Sequence, residues 1–311
     1  MGKELVKIKI PSTDNKNNLQ VYVWETDEKP QAILQISHGM KEHILRYEEF
    51  AKFMVSRGVL VIGNDHLGHG LTAKDENDLG YFGSENSRTV VDDLHAVTLY
   101  AKETYGSDIP FFMLGHSMGS FMARRYIMTY GKEISGVIIS GTGSTPGALL
   151  AVGRFLTFVL GKIKGDRQRP ALLKNMAFGA YNKRIENPES ESAWLCKDKA
   201  IVEKYDNDKF CTFDFTTDGY KTLFESIAFI QKKSNIEKIP KDLPVLFISG
   251  TEDPVGDYGK GVEKAYDEFE KAMIKDCEIV LYHGGRHEML NEIEREGVFE
   301  DIDVWIKQHI K

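Results

Sequence analysis

The chain has 311 residues, of which 41% are hydrophobic and 28% charged, and its formal net charge at pH 7 is −7. This composition excludes disordered and fibrous proteins, because enough apolar residues are present to bury a large core. The acidic balance argues against nucleic acid as a principal partner. One large domain with a sizeable insertion is the expectation for this length.

The compartment is predicted from the cysteines and from the apolar runs. Cys196, Cys211 and Cys277 are odd in number and far apart, so they form no disulfide framework and indicate a reducing environment. The first ten residues lack the apolar run of a signal peptide. The longest apolar stretch, 148–160, is too short to span a bilayer. We therefore expect a cytoplasmic protein.

The first 141 residues alternate between strand and helix patterns. Two alternating runs joined by a polar turn predict an amino-terminal hairpin, and the later strands are short runs that are apolar on both faces. The predicted strands are 5–10, 20–24, 32–37, 59–64, 111–114 and 137–140, and the predicted helices are 47–57, 89–105 and 118–130. Apolar runs separated by helices are typical of buried parallel strands in a doubly wound α/β sheet.

The alternation stops between residues 142 and 240, where the pattern is helical and rich in aromatic residues. It resumes with strands 245–250 and 278–282 and helices 260–275 and 298–310. We therefore predict an α/β core formed by 1–141 and 241–311, with a helical cap inserted at 142–240. The cap carries 16 basic and 12 acidic residues, a net charge of +4, and the rest carries 24 and 35, a net charge of −11. Solvated helix faces explain this difference most simply, and attraction to anionic ligands or surfaces is the alternative.

A G-x-S-x-G motif lies between a predicted strand and a predicted helix. It consists of Gly115, His116, Ser117, Met118 and Gly119. This strand–turn–helix context is typical of a nucleophile elbow, in which the serine is held on a sharp turn and the glycines allow close packing. The motif predicts that the serine is a catalytic nucleophile.

A serine hydroxyl needs a base and a carboxylate that orients the base, and in this fold they follow the serine in the order acid, then histidine. The strand at 245–250 is followed by Glu252, Asp253 and Asp257, and Asp253 is preferred because a proline fixes the turn directly after it. The strand at 278–282 is followed by His283 and His287. His287 is preferred because it lies beyond two glycines on a loop that can reach the serine.

Acyl transfer also needs two N–H donors for the oxyanion. The backbone N–H of Met118, directly after the nucleophile, is one candidate. The strand at 32–37 leads into His38, Gly39 and Met40, so the backbone N–H of Met40 is the other candidate. His38, Gly39 and His116 are predicted to form part of the site wall, with His116 beside the serine but not acting as its base.

Neither a metal ion nor an organic cofactor is expected. His66 and His69 have H-x-x-H spacing, but they lie on a glycine-rich loop, which favours packing over metal binding.

Several motifs together resemble the monoacylglycerol lipase and lysophospholipase family of α/β-hydrolases. They are HGMKEHILRYEEFAKFMVSRG, DHLGHG, GYFG, GHSMGSFMAR, GTEDPVG and HGGRHEMLNE, and within the cap FGAYNKR, WLCKD and KYDNDKFCTFDFT are similar to bacterial lysophospholipase-like members. The resemblance covers roughly 20–300. It implies an α/β-hydrolase fold with a mostly parallel eight-stranded sheet and a helical cap, the triad Ser117–Asp253–His287, and Met40 and Met118 as oxyanion donors. Leu67 departs from the arginine that the family often has before GHG.

One apolar helix face in the predicted cap is relevant to which substrate is bound. On the predicted helix after residue 147, Leu149, Val152, Leu156 and Val159–Leu160 form one apolar face, which we expect to pack on the sheet domain. The alternatives are that part of this face lines an acyl pocket or, beside a basic cluster at 162–174, contacts a membrane peripherally.

The resemblance and the motifs predict a serine hydrolase that cleaves lipid esters such as monoacylglycerols or lysophospholipids through an acyl-enzyme. A short-chain carboxylesterase, a thioesterase or an amidase with the same triad is the alternative. A non-catalytic binding module is disfavoured, because every catalytic position is filled.

Overall fold

The computed structural model describes residues 4–83 and 87–310. Eight strands form one sheet in the order β1-β2-β4-β3-β5-β6-β7-β8. The strands are β1 (Val6–Pro11), β2 (Asn18–Trp24), β3 (Ala32–Ser37), β4 (Val59–Asn64), β5 (Phe111–His116), β6 (Gly136–Ser140), β7 (Val245–Gly250) and β8 (Cys277–Tyr282). β2 is antiparallel to both of its neighbours, and the other pairs are parallel. The predicted α/β class with a mostly parallel eight-stranded sheet is confirmed.

Helices cover both faces of the sheet. They are α1 (Glu48–Ser56), α2 (Thr89–Tyr105), α3 (Met118–Tyr130), α4 (Gly147–Lys164), α5 (Ala171–Phe178), α6 (Lys199–Asp206), α7 (Thr217–Ile230), α8 (Lys233–Ile236), α9 (Lys260–Lys271) and α10 (Arg295–Gln308). The apolar faces of α2, α3 and α9 join one core cluster, and those of α1 and α10 join the cluster on the opposite face. Strands β3 to β7 are therefore buried on both sides, which explains their unbroken apolar runs.

Helix α9 is shorter than the predicted helix 260–275. It ends at Lys271 because Met273 adopts φ +62°, a left-handed conformation that terminates a helix.

The strand register brings the carboxyl ends of the central strands to one edge. Ser37 pairs with Gly115, and His116 pairs with Ser140. On the other side of β6, β7 runs alongside β8, so that Gly250 pairs with Tyr282. The segments that follow β3, β5, β7 and β8 therefore emerge side by side, at the edge where open α/β sheets bind their ligands.

The segment between β6 and β7 contains α4 to α8 and no strand among the described residues. Helix α4 packs only partly as the sequence predicts. Leu156 and Leu160 pack against the core, whereas Leu149 and Val152 are 45% and 51% exposed. Gly153 of α4 is buried, and a Cβ there would lie only 2.9 Å from the ring of Phe224 on α7. Helix α4 therefore approaches α7 closely at this glycine.

Among the residues that the structure describes, no helix is both long enough and apolar enough to cross a membrane.

Candidate active site

Ser117 lies on a strained turn between β5 and α3. Its φ and ψ are +54° and −120°, which a residue with a side chain rarely adopts. The Ser117 N–H donates to the Ser140 carbonyl on β6 at 2.9 Å, so the turn is held by the neighbouring strand. A Cβ on Gly119 would overlap the carbonyl oxygen of Ser37, which explains the need for glycine there. The side chain of Ser117 is therefore presented at the carboxyl edge of the sheet.

Asp253 and His287, which follow β7 and β8, form a buried hydrogen-bonded pair. The His287 Nδ1–H donates to Asp253 Oδ1 at 3.0 Å, and the two residues are 1% and 0% exposed. Asp253 also accepts from the Val255 N–H (2.9 Å) and from the Ser249 hydroxyl (3.1 Å), which fixes the carboxylate. Burial opposes both charges, but their mutual attraction lowers the pKa of Asp253 and raises the pKa of His287.

The remaining ring nitrogen of His287 is available for chemistry. Its Nε2 is buried and has no hydrogen-bond partner within the described part of the chain. The ring of His116, the residue before Ser117, lies 4.7 Å from the His287 ring, centroid to centroid. The His287 ring is thus next to the turn that carries Ser117.

The other candidate acids and bases lie apart from this pair. Glu252 is exposed and pairs with Lys197 at 3.4 Å, and Asp257 is exposed on the same loop. His283 is exposed at the end of β8. None of these three residues hydrogen-bonds to His287 or Asp253 in the structure.

The loop after β3 lies against Ser117. A Cβ on Gly39 would be 3.0 Å from the Cβ of Ser117, so the backbone of this loop lies close to the serine. Met40, directly after Gly39, and Met118, directly after Ser117, consequently flank the serine. Backbone N–H groups in these two places can face a developing oxyanion.

A buried ion network joins this loop to the histidine loop, and the sequence reasoning missed it. Arg46 donates to Glu42 at 2.7 Å and to both carboxylate oxygens of Glu288 at 2.6 and 2.7 Å. Glu42 in turn accepts from the Gly39 N–H and from the Tyr47 hydroxyl. The sequence signal for it was a charged i, i+4 pair, Glu42 and Arg46, beside the HG motif.

His38, His66 and His69 are all buried and pack against one another. The ring centroids of His66 and His69 lie 4.1 and 5.1 Å from that of His38. The His66 N–H donates to His38 Nε2 at 3.0 Å, and the His38 Nδ1–H donates to the Gly39 carbonyl at 2.8 Å. Burial lowers the pKa of His66 to about 3 and that of His69 to about 4, so these rings are neutral and support the loop after β3.

His116 faces the interior of the same edge. It is buried, its Nδ1 lies 3.3 Å from the Ser140 hydroxyl, and burial lowers its pKa to about 3. A neutral ring with this partner does not compete with His287 for a proton.

Residues of the segment between β6 and β7 cover His287. The indole ring of Trp194 lies 4.9 Å from the His287 ring, at an interplanar angle of 41°. Tyr181 packs on Trp194 at 4.7 Å. The sequence reasoning missed Trp194, because no periodic pattern pairs it with a histidine loop far along the chain.

Comparisons with known proteins agree with this geometry. The family described as serine aminopeptidase S33 (Hydrolase_4) matches residues 28–294. Human monoglyceride lipase is 28% identical over 295 residues, which is 92% of this chain and 85% of that protein. A thermostable carboxyl esterase from Bacillus coagulans, solved in complex with glycerol, is 30% identical with a TM-score of 0.92 and covers 99% of this chain and 100% of its own. A lipase solved in an open form is 26% identical, with a TM-score of 0.90 and the same coverage of both chains. The family resemblance expected from the motifs is confirmed, and the chain belongs to the Hydrolase_4 family of serine hydrolases.

Proposed function

We propose that this protein hydrolyses carboxylic esters of lipids, with monoacylglycerols and lysophospholipids as the substrate class, and that Ser117, Asp253 and His287 are its catalytic triad. The observation that carries the proposal is the fully buried Asp253–His287 pair, whose Nε2 has no partner within the described residues and whose ring lies 4.7 Å from that of His116, the residue before Ser117 on a strained strand–helix turn. These are the parts that nucleophilic acyl transfer requires.

The reaction begins when the Ser117 hydroxyl attacks the ester carbonyl and His287 Nε2 takes its proton. Asp253 holds the imidazole with its proton on Nδ1 and stabilises the imidazolium that forms, consistent with the raised pKa of His287. The imidazolium then gives its proton to the leaving alcohol. A water molecule, deprotonated by the same histidine, releases the fatty acid.

The tetrahedral intermediate carries a negative oxygen, which we place between the backbone N–H groups of Met40 and Met118. The close approach of Gly39 to Ser117 supports this assignment. Removal of one such donor costs on the order of 10²–10³-fold in kcat in other serine hydrolases.

The lipid substrate is supported by the monoglyceride lipase relative and by the apolar lining that the segment 142–240 offers near the site. We propose that this segment acts as a cap, with Trp194 beside His287 and with Tyr181 and Phe178 packed on Trp194. Apolar walls with few polar groups are typical of pockets for acyl chains. The similarity to a carboxyl esterase favours a second candidate, a short-chain esterase with the same triad.

The test is hydrolysis of 1-monooleoylglycerol and 1-oleoyl-lysophosphatidylcholine by wild type and Ser117→Ala. We expect the wild type to release oleate and the variant to lose at least about 10³-fold in rate. A preference for two to four carbons in a p-nitrophenyl ester series would instead favour the short-chain esterase. Equal rates for wild type and Ser117→Ala would refute the triad.

We also propose that the cap contacts lipid surfaces. Large apolar side chains on α4 and at the start of α5 are more than two-fifths exposed, namely Leu149, Val152, Phe155, Phe158, Ile163 and Leu172. Lys162 and Lys164 are exposed beside them. An apolar stripe next to basic residues fits an anionic membrane surface. The three free cysteines support a cytoplasmic location, and the membrane contact would then be peripheral.

This contact is tested with the double variant Phe155→Ser/Phe158→Ser. We expect weaker sedimentation with phosphatidylglycerol-containing vesicles and unchanged hydrolysis of p-nitrophenyl butyrate in solution, because both side chains are exposed. Leu99→Ser, an exposed apolar residue on α2, is the matched control and should not change sedimentation. Undiminished vesicle binding by the double variant would contradict the proposal.

A further inference from the structure

We infer that Trp194 selects the alcohol that leaves the ester, so that a small neutral alcohol such as glycerol is preferred over a bulky charged headgroup. This inference rests on the proposed function, because it assumes that His287 protonates the leaving group. It assigns a specificity role to a residue outside the triad and the oxyanion loop.

Trp194 lies where the leaving alcohol must pass. In acyl transfer the alcohol oxygen takes its proton from His287 Nε2, so the two atoms must come within about 3 Å of each other. The Trp194 ring centroid is only 4.9 Å from the His287 ring centroid. Any substituent on the alcohol carbon next to that oxygen is therefore within reach of the indole.

The main chain around Trp194 is bound to the loop that carries His287. The Glu288 N–H donates to the Leu195 carbonyl at 2.7 Å. Arg286 donates through its Nη1 to the carbonyls of Ala193 (2.7 Å) and Cys196 (3.2 Å). Hydrogen bonds on both sides of Trp194 thus hold its backbone against this loop.

The aromatic cluster around Trp194 offers no cage for a quaternary ammonium group. Tyr181 and Phe178 pack on the indole at centroid distances of 4.7 and 6.1 Å, and Tyr181 and Phe178 lie 5.5 Å apart. These are contact distances between rings, so no gap is left for a cation between them. The cluster therefore limits the size of the leaving alcohol and does not bind a choline group.

The charges near this wall do not add to the selection by size. Lys197 pairs with Glu252 at 3.4 Å, and Lys41 pairs with Asp214 at 3.6 Å. Arg286, however, donates to main-chain carbonyls through its Nη1, and its buried Nε has no partner within the described part of the chain. A cation is therefore present beside the wall, and the preference for the smaller alcohol rests on size.

The experiment holds the acyl chain constant and changes the alcohol. We would measure kcat/KM for 1-monooleoylglycerol and 1-oleoyl-lysophosphatidylcholine, in the same detergent micelles, with wild type, Trp194→Phe and Trp194→Ala. We expect the kcat/KM for lysophosphatidylcholine divided by that for monooleoylglycerol to rise at least tenfold in Trp194→Ala and to change less in Trp194→Phe. Both substrates are measured on the same preparation, so the amount of folded enzyme cancels in the ratio even where a variant is partly unfolded.

Phe229→Ala is the matched control, because Phe229 is a half-buried aromatic of the same insertion that packs on Arg125 instead of His287. Its substrate ratio should equal that of wild type. An equal loss on both substrates in Trp194→Ala, or a wild type that prefers lysophosphatidylcholine, would overturn the inference.

Failure of the proposed lipid substrate is distinguishable from failure of this inference. If the wild type cleaves p-nitrophenyl acetate but neither 1-monooleoylglycerol nor 1-oleoyl-lysophosphatidylcholine, the proposed lipid substrate class is wrong. The Trp194 ratio is then measured on glyceryl monoacetate and 1-acetyl-glycerophosphocholine, and the same tenfold rise or its absence decides the inference.

Discussion

Replacing Arg46 by methionine should destabilise the protein strongly, because it leaves two carboxylates buried without their cation. Glu42 and Glu288 are 3% and 4% exposed, and Arg46 contacts both at 2.6 to 2.7 Å. Removing one partner of a buried ion pair costs about 3–5 kcal/mol. This is about a fifth or more of the 5–15 kcal/mol that stabilises a typical domain, so the loss is easy to detect.

The assay is urea denaturation of wild type and Arg46→Met at pH 8 and pH 5. Burial alone would raise the pKa of Glu288, but Arg46 lowers it to about 2 in the wild type. Without Arg46 the folded-state pKa of this carboxyl rises above its unfolded value. An acid with a raised folded pKa binds its proton more tightly when folded, so the variant gains stability as the pH falls, and its deficit is smaller at pH 5 than at pH 8.

Two controls separate burial from proximity. Lys275 and Asp242 pair at 2.6 Å, as closely as Arg46 and Glu288, but their side chains are 70% and 81% exposed, so Lys275→Met should cost less than about 1 kcal/mol. The triple variant Glu42→Gln/Arg46→Met/Glu288→Gln removes all three charges and should recover most of the loss. A loss below about 1 kcal/mol in Arg46→Met, or a deficit that grows at pH 5, would refute the reasoning.

Three further outcomes follow from the geometry. Asp253→Asn should lower kcat by about 10⁴-fold and move the acid limb of the kcat/KM profile to lower pH, because burial alone lowers the pKa of His287 once the carboxylate is gone. An acid limb of the kcat/KM profile that stays at the wild-type pH would contradict the proposed effect of Asp253 on His287. Gly119→Ala should abolish activity or folding because its Cβ overlaps a carbonyl at the end of β3, whereas Gly147→Ala, with open space around it, should leave the melting temperature and rate unchanged within error. Met273→Gly should raise the free energy of unfolding by about 0.5–1 kcal/mol in urea denaturation, since this residue is 74% exposed and has φ +62°; a loss of stability would show that its side chain packs.

The core of the fold was predictable because burial on both faces leaves a clear pattern. The predicted runs 32–37 and 59–64 coincide with β3 (Ala32–Ser37) and β4 (Val59–Asn64) to the residue. Once the strands are parallel, their carboxyl ends share one edge, so the residues after β5, β7 and β8 must come close together. Chain order and strand ends were thus enough to choose the candidate triad.

Which face of a helix is buried was not predictable from its apolar residues alone. Half of the apolar face chosen for α4 packs against the core, namely Leu156 and Leu160, whereas Leu149 and Val152 are exposed. The small residues Gly153 and Thr157 are buried. Hydrophobic periodicity assumes that a helix buries its largest side chains. Helix α4 instead approaches α7 through small residues, and that choice depends on the partner helix.

Contacts between distant loops were also beyond the sequence patterns. Arg46 and Glu288 are 242 residues apart, and neither lies in a periodic segment that would indicate pairing. Local rules describe what one segment prefers, and they contain no information on which loop meets which. Only the folded sheet brings these two charges together at one buried site.

The insertion contacts both the loop that carries His287 and the loop after β3, which lies against Ser117. On one side Trp194 lies on His287. On the other, Lys41, which follows the proposed oxyanion donor and has φ +59°, pairs with Asp214 of the insertion at 3.6 Å and lies 5.9 Å from the ring of Phe178. A left-handed conformation at a lysine costs about 1–2 kcal/mol, and the insertion supplies contacts that offset it. The sheet edge therefore places Ser117, Asp253 and His287, while the insertion contacts the loops beside them. We expect that a change in the insertion can alter which ester is cleaved without changing the proposed triad.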